Sequence, residues 1–425
     1  MTVDRQHDSA AYEFGCTKHL HFLEAVRKDL WAFGRRFPAP QGGSYCLDTL
    51  GNPVPAQGIH TWITSRMVHV YALGEVAGHQ GSEGLVDCAL AGLTGMLHDD
   101  EHDGWYSSIN AEGTPQADKV CYAHAFVMLA ATSATLTCHA GARDVLDESV
   151  DVFMERFWDD DEGLAVDTWN DDFTQLDTYR GLNANMHTVE AFLALADVLH
   201  QEEWRERAGR IVARVLPWAE RNHWRIPEHF NNDWEALLEF NDDRRDDQFK
   251  PYGATPGHGI EWSRLIAQYA LSSLSIADTT RRHLIASATN LFNRAVLDGW
   301  ASAEGKHPGL SYTTDWEGAT VVGDRMHWTL AEGVNAAATL YTATGDERYA
   351  QWYQCFWNYI DEFVVDHIHG SWFHQLDARN TVIGTVWPGK PDLYHALQAT
   401  FIPQLSPALS VLPALKSQQE EMACK

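Results

Sequence analysis

The sequence predicts an all-α protein, an (α/α)6 barrel of six helix-hairpin repeats with short β-hairpins at one end. Three observations carry that expectation. A short extended segment recurs along the whole chain, the stretch between successive segments has room for two helices, and one helix of each pair opens near a histidine. Six units with no evident capping repeat favour closure over an open α-solenoid. The repeat leaves no linker, so residues 1–425 read as one domain.

The recurring segments are "GSYCLDTLGNPVP" from Gly43, "GWYSSINAEGTPQ" from Gly104, "GLAVDTWNDDFTQ" from Gly163, "WRIPEHFNNDWEA" from Trp224, "GLSYTTDWEGATV" from Gly309 and "GSWFHQLDARNTV" from Gly370. Each has a Gly or aromatic, a short alternating run and a turn rich in Asp, Asn or Gly, the pattern of a hairpin. Steps between starts are close to 60 residues, except for 85 between Trp224 and Gly309. The excess falls on "EFNDDRRDDQFKPYGATPG", which reads as an inserted loop.

Between the segments, "HTVEAFLALADVLH" places Val189, Phe192, Leu193, Ala196 and Leu199 at helical spacing. "AEGVNAAATLYTATG" is alanine-rich and stops at Gly345, a natural helix end. One helix of each pair opens near His60, His124, His187, His258, His327 or His395. In "PYGATPGHGIEW", Thr255 reads as a cap and Pro256 as the first helical residue. Gly257 and Gly259 are costly in a helix, by about 1 kcal/mol each. Their expected purpose is to leave His258 bare for a ligand.

Closure would gather several imidazoles at the hairpin end of the axis. A lone histidine at a helix start often only bonds a loop carbonyl, but six at one level point to proton chemistry near neutral pH. Glu190 follows His187 by three residues, and Glu261 follows His258 likewise, which puts each pair on one helix face. Aromatic residues near the hairpins, Trp62, Tyr122, Trp316, Trp372 and Trp387, offer faces for sugar rings as well as core packing. Arg66, Asn183, Lys390 and Asp392 beside them suit hydroxyl recognition.

Other chemistries have weaker signals. "DDEHD" from Asp99 resembles a magnesium-binding carboxylate motif, but its place before a hairpin reads as a solvated turn. Zinc spacing such as HExxH is missing, and histidines on separate helices serve acid–base work better than metal binding. Asp315, Glu317 and Glu332 form no singled-out glycosidase pair. No GxSxG, P-loop or GxGxxG occurs. The net charge of −28 argues against nucleic acid and anionic membranes as partners. No run of about 18 apolar residues predicts a membrane span. The polar start "MTVDRQHDSAAYEF" is unlike a secretory leader, and seven scattered cysteines suit reduced thiols in a cytoplasm. Monomer and homo-oligomer both stay open.

"HTWITSRMVHVY", "RGLNANMHTVEAFL", "YGATPGHGIEW", "DRMHWTLAEG" and "VWPGKPDLYH" together resemble the N-acylglucosamine 2-epimerase superfamily over nearly the whole chain. The likeness is greatest to its mannose and sulfoquinovose isomerase branch, through "NANMH", "TPGH" and "GKPDLYH". The resemblance implies a metal-free, cofactor-free isomerase of a free hexose, interconverting an aldose such as D-mannose with its 2-ketose through a cis-enediol. Alternatives are a 2-epimerase of the cellobiose or N-acylglucosamine type and a sulfoquinovose isomerase. It implies His258 and His395 as the acid–base pair and His187 in the same pocket. It implies Arg66, Tyr122, Asn183, Glu261 and Glu332 as sugar-site residues. His395 is assigned the C1/C2 proton transfer, His258 ring opening and Arg66 the enediolate charge. Relatives in this branch often carry Arg-Phe-Arg where this chain has Gln248, Phe249 and Lys250, and sulfoquinovose-type relatives tend to have glutamine where His374 stands. Both departures lean toward a neutral hexose.

Overall fold

Two kinds of helix alternate along the chain, distinguished by how much of each is buried. The computed structural model describes residues 12–300 and 307–423. These form α1 (Thr17–Gly34), α2 (Thr61–Val76), α3 (Ser82–Leu93), α4 (Cys121–Leu136), α5 (Ala142–Val152), α6 (Leu182–Leu199), α7 (Glu202–Arg221), α8 (Pro256–Ser272), α9 (Asp278–Gly299), α10 (His327–Thr344), α11 (Glu347–Tyr359), α12 (Tyr394–Phe401) and α13 (Val411–Ala423). In α4 every residue from Ala123 to Ala134 is buried, and in α10 every residue from His327 to Leu340. A helix apolar all round must be enclosed by others. By contrast α7 buries one stripe, Trp204, Ala208, Ile211, Val215 and Ala219, and gives water the rest.

The buried helices pack in chain order, α2 on α4, α4 on α6, α6 on α8, α8 on α10 and α10 on α12, and α12 returns to α2. Each of the first five carries its successor on its outer side, as α2 carries α3 and α8 carries α9. The sixth differs from the expected scheme: α12 takes its cover from α1, at the other end of the chain. The unanticipated α13 touches α2, α6 and α12. The chain is all-α with a few two- and three-residue strands.

Those strands follow one rule. The residues just before a buried helix pair antiparallel with the next repeat's hairpin: Ile59–His60 with Ser108–Ile109, Lys119–Val120 with Thr168–Trp169, Arg180–Gly181 with His229–Phe230, and Arg325–Met326 with Gln375–Leu376. Ala254 bridges Thr314 in the same way, and the Lys390 N–H donates to the Leu47 carbonyl at 2.8 Å. Every buried helix therefore starts at a fixed place against its neighbour's hairpin.

Several local expectations change. Thr255 has extended cap geometry, yet its hydroxyl makes no capping bond; Pro256 does open α8. A Cβ on Gly257 would lie 2.5 Å from Thr329 Cγ2 and 2.7 Å from the Trp328 ring. A Cβ on Gly259 would meet Ala295 of α9 at 3.3 Å. The two glycines thus admit neighbouring helices rather than a ligand. α10 ends at Gly345 with φ of 67°, as its sequence predicts. Asp99 of "DDEHD" is no solvated residue: it is buried and accepts from Lys119 Nζ at 2.5 Å. The inserted loop is tied down, with Trp316 Nε1 donating to the Leu238 carbonyl at 2.9 Å and Tyr312 Oη to the Gln248 carbonyl at 3.2 Å.

Among the described residues no helix is long and apolar enough to cross a membrane. Cys46, Cys88, Cys121, Cys138 and Cys355 are free thiols, while Cys424 and most of the polar N-terminal stretch lie outside the described residues.

Candidate active site

The hairpin end of α6, α8, α10 and α12 encloses a pocket whose wall includes His187, His258, His327, His374 and His395. Four of the six aligned histidines meet there. His60 and His124 do not, because the six stand at different points of their helices. His60 precedes α2, His124 is the fourth residue of α4 and His187 the sixth of α6, while His258, His327 and His395 are third, first and second in theirs. At about 100° per residue such offsets turn side chains to different faces. His124 instead spans the Trp105 N–H and the Val120 carbonyl in the core, and His60 bonds the Gln57 carbonyl.

Two imidazoles are held in the same way. His258 Nδ1 lies 3.0 Å from Glu228 Oε1, and His395 Nδ1 lies 3.1 Å from Glu332 Oε1. An ionised carboxylate only accepts, so each Nδ1 carries the proton and each Nε2 keeps its lone pair while the ring is neutral. The Trp328 ring adjoins both, with centroids 5.0 Å from His258 and 6.0 Å from His395. The expected partner of His258 was Glu261, one turn on. Glu228 takes that place because the strand pairing of Gly181 with His229 sets the residue before His229 beside the α8 entrance.

Behind the histidines lies a charge cluster around Arg264. Its Nε donates to Glu332 Oε2 at 2.7 Å, and its Nη2 stands 3.5 Å from Glu190 Oε1 and 3.8 Å from Glu261 Oε1. Glu190 in turn meets His187 Nδ1 at 3.2 Å and accepts from Tyr394 Oη. One guanidinium cannot neutralise three buried carboxylates. Burial, reinforced by Glu332, holds the Glu261 carboxyl well above the usual carboxylate range, so of the three it is the one that most favours its neutral form. Burial depresses two of the histidines: His187 is lowered to about 4, and His395 is lowered although Glu332 opposes the shift. Two sets, His187 with Glu190 and Glu261, and Glu261 with Glu332 and His395, bring ligand atoms within 4.8 Å of one another and could hold a cation. Arg264 already supplies positive charge to both sets.

Arg66 is fixed from several sides. It donates to Asp392 Oδ2 at 3.1 Å and to Tyr122 Oη at 2.8 Å, and its guanidinium carbon lies 4.5 Å from the Phe126 centroid and 4.8 Å from that of Tyr394. Trp387 packs against Phe249 of the inserted loop with centroids 5.5 Å apart, and Trp62 packs on both. The loop thus brings Phe249 and Gln248 to the pocket wall.

Of the residues chosen from sequence, His187, His258, His395, Arg66, Tyr122, Asn183, Glu261, Trp387 and Asp392 line this pocket, and Glu332 stands directly behind His395. Three are placed elsewhere. Lys390 is fully buried, donating to Asp366 Oδ2 and to the Gly370 carbonyl at 2.6 Å each. Trp316 turns its indole N–H to the Leu238 carbonyl of the inserted loop. Trp372 is core, against Trp357. The sequence places His327 in the histidine cluster without giving it a role, and does not point to Glu228, Arg264, Tyr312 or Trp328 as parts of the site. The available signal was positional, since Glu228 and His374 occupy matching places in their hairpins. The Leu182 N–H donates to the Glu228 carbonyl and the His327 N–H to the His374 carbonyl, both at 3.1 Å.

The profile of the N-acylglucosamine 2-epimerase family matches residues 42–399, and the chain belongs to that family. A D-mannose isomerase of Thermobifida fusca is 42% identical over 400 residues, covering 93% of this chain and 97% of that protein. A second D-mannose isomerase, from Pseudomonas cannabina pv. alisalensis, is 41% identical over 398 residues, 93% of this chain and 95% of its own. A crystal structure of a D-mannose isomerase superposes with a TM-score of 0.82 at 24% identity, over 90% of this chain and 97% of that one, which shows the shared fold.

Proposed function

We propose that the protein is a metal-independent aldose–ketose isomerase that interconverts D-mannose and D-fructose, built as a single (α/α)6-barrel domain. The return of α12 onto α2 supports the closed barrel, with α1 as the sixth outer helix. The observation that carries the activity is the pair of histidine–carboxylate dyads, His258–Glu228 and His395–Glu332, in the wall of one pocket. The identity of 42% over nearly the full length of a D-mannose isomerase supports the substrate.

In this reading the sugar enters as the ring, and His258 accepts the anomeric hydroxyl proton and delivers it to the ring oxygen as the C1–O5 bond breaks, which leaves the C1 aldehyde and a neutral imidazole. In the open chain His395 Nε2 removes the C2 proton, and the electron pair forms the C1–C2 double bond of a cis-enediol. The imidazolium so formed is stabilised through Nδ1 by Glu332. Arg66 faces the negative charge that develops on the enediol oxygens. His395 then returns the proton to C1 as the O2 proton passes to O1, which leaves the 2-ketose. Atoms balance with no external acid, base or oxidant. Positioned groups of this kind each contribute about 10²–10⁴ in rate.

Incubation with D-mannose in D2O, followed by NMR, tests the reading. Fructose is expected, and chelator treatment should leave the rate unchanged. Glucose as the product would make the enzyme a 2-epimerase, with both histidines acting at C2. His258→Ala and His395→Ala should each abolish turnover in folded protein; near-normal turnover in either would sink the assignment.

A further inference from the structure

A second imidazole pair shares the pocket and takes no part in the proposed chemistry. His327, the first residue of α10, and His374, in the hairpin paired with that helix start, stack with centroids 3.6 Å apart and planes 25° apart. They are 4% and 2% exposed. The backbone fixes their register, because Arg325–Met326 pairs with Gln375–Leu376 and the His327 N–H takes the His374 carbonyl.

What sets the pair apart is its unused hydrogen-bonding capacity. Among the described residues neither His327 ring nitrogen has a hydrogen-bond partner, and neither does His374 Nδ1. Both residues line the same pocket as His258 and His395. Buried polar atoms are almost always satisfied, so an orphaned ring at a pocket wall marks the place of a ligand's polar atoms. Burial and the neighbouring His374 and His395 hold His327 neutral, far below the usual histidine range, and burial takes His374 to about 4. A neutral imidazole offers one donor and one acceptor. That matches a hydroxyl group, which can do both, better than an anionic group, which only accepts.

We propose that His327, with its plane held by His374, is a substrate-recognition residue that hydrogen-bonds a hydroxyl of an uncharged sugar. The inference rests on the proposed isomerase reading and adds a specificity residue to it. The test crosses the enzyme with its substrate. Mannose and its 3-, 4- and 6-deoxy analogues are offered to the unaltered protein and to His327→Phe, which keeps a ring against His374 and removes both nitrogens. One deoxy sugar should lose about 10- to 100-fold in kcat/KM on the unaltered protein, the range for a lost buried hydrogen bond. His327→Phe should lose a similar factor on mannose, and no more on that same deoxy sugar. Should the phenylalanine variant not fold, His327→Leu carries the same comparison. Deoxy penalties that persist in full in the variant overturn this inference alone. No mannose conversion by the unaltered protein overturns the proposed function and the inference with it.

Discussion

Replacing Glu332 by Gln asks the most of the site's geometry. Glu332 is fully buried and accepts from His395 Nδ1 at 3.1 Å and Asn335 Nδ2 at 3.4 Å through one oxygen and from Arg264 Nε at 2.7 Å through the other. Glutamine has one accepting oxygen and one donating amide, so either Arg264 or His395 must face a donor. If Arg264 loses, its nearest remaining carboxylates are Glu190 at 3.5 Å and Glu261 at 3.8 Å. Breaking one side of a buried ion pair costs about 3–5 kcal/mol. With an unfolding entropy of about 2.1 cal/mol/K per residue, a chain of this length should lose roughly 3–6 °C in Tm. If His395 loses, its imidazolium is unsupported, and kcat should fall by about 10²–10⁴. The pH profile fixes the sign. Glu332 raises the His395 pKa against the lowering by burial, so its removal lowers that pKa further. The acid limb of kcat/KM should therefore move to lower pH, and the loss of rate cannot come from a protonated base. Scanning calorimetry and progress curves from pH 4 to 9 measure all three effects. A kcat within threefold of the parent, or an acid limb that moves upward, would refute the dyad. Glu261→Gln is the contrast: burial already pushes its carboxyl toward the neutral form, so Tm should fall less than in Glu332→Gln.

Acid should loosen the fold early. Burial lowers His69, His187 and His374 to about 4 and His124 to about 3, against about 6.5 in the unfolded chain. Between pH 6.5 and 4 the unfolded state therefore binds protons that the native state refuses, so stability is complete above pH 6.5 and falls through that window; a flat urea midpoint from pH 7 to 4.5 would contradict it. Gly257→Ala should cost about 1–3 kcal/mol through overpacking on Trp328 and Thr329, whereas Gly259→Ala, which presses on Ala295 alone, should lower Tm less, and neither should raise KM. A raised KM with unchanged stability in either variant would restore the sugar-access explanation. Lys390→Met should lose about 3–5 kcal/mol by stranding buried Asp366, with KM unchanged; the opposite pattern would return Lys390 to the sugar site.

Much of the architecture could be read from residue order, because its causes are local. A helix that is buried all round, such as α4, is written as a largely apolar stretch with no lysine, arginine or carboxylate, and each hairpin is marked by its own turn residues. Contacts within one helix were equally legible: the three-residue spacing from His187 to Glu190 becomes a 3.2 Å contact. Even so, periodicity misjudged what the two glycines of α8 are for, since nothing in that stretch names Trp328 and Thr329 of α10 or Ala295 of α9, to which they give room.

The histidine chemistry itself was determined by sequence, but the partners that aim it were decided by tertiary structure. Glu228 and His258 are 30 residues apart, and Glu332 and His395 are 63 apart. Strand register brings the first pair together, and the contact of α10 with α12 brings the second. The same holds for Arg264, whose three carboxylates stand on α6, α8 and α10. Lys390 shows the converse, a charge placed beside the sugar motifs in sequence yet turned to Asp366 and the Gly370 carbonyl in the fold. Side-chain spacing along one helix sets what neighbours three or four positions away can do. The charge and proton state of a buried group depend on every element packed against it, and those elements are fixed only when the chain has folded.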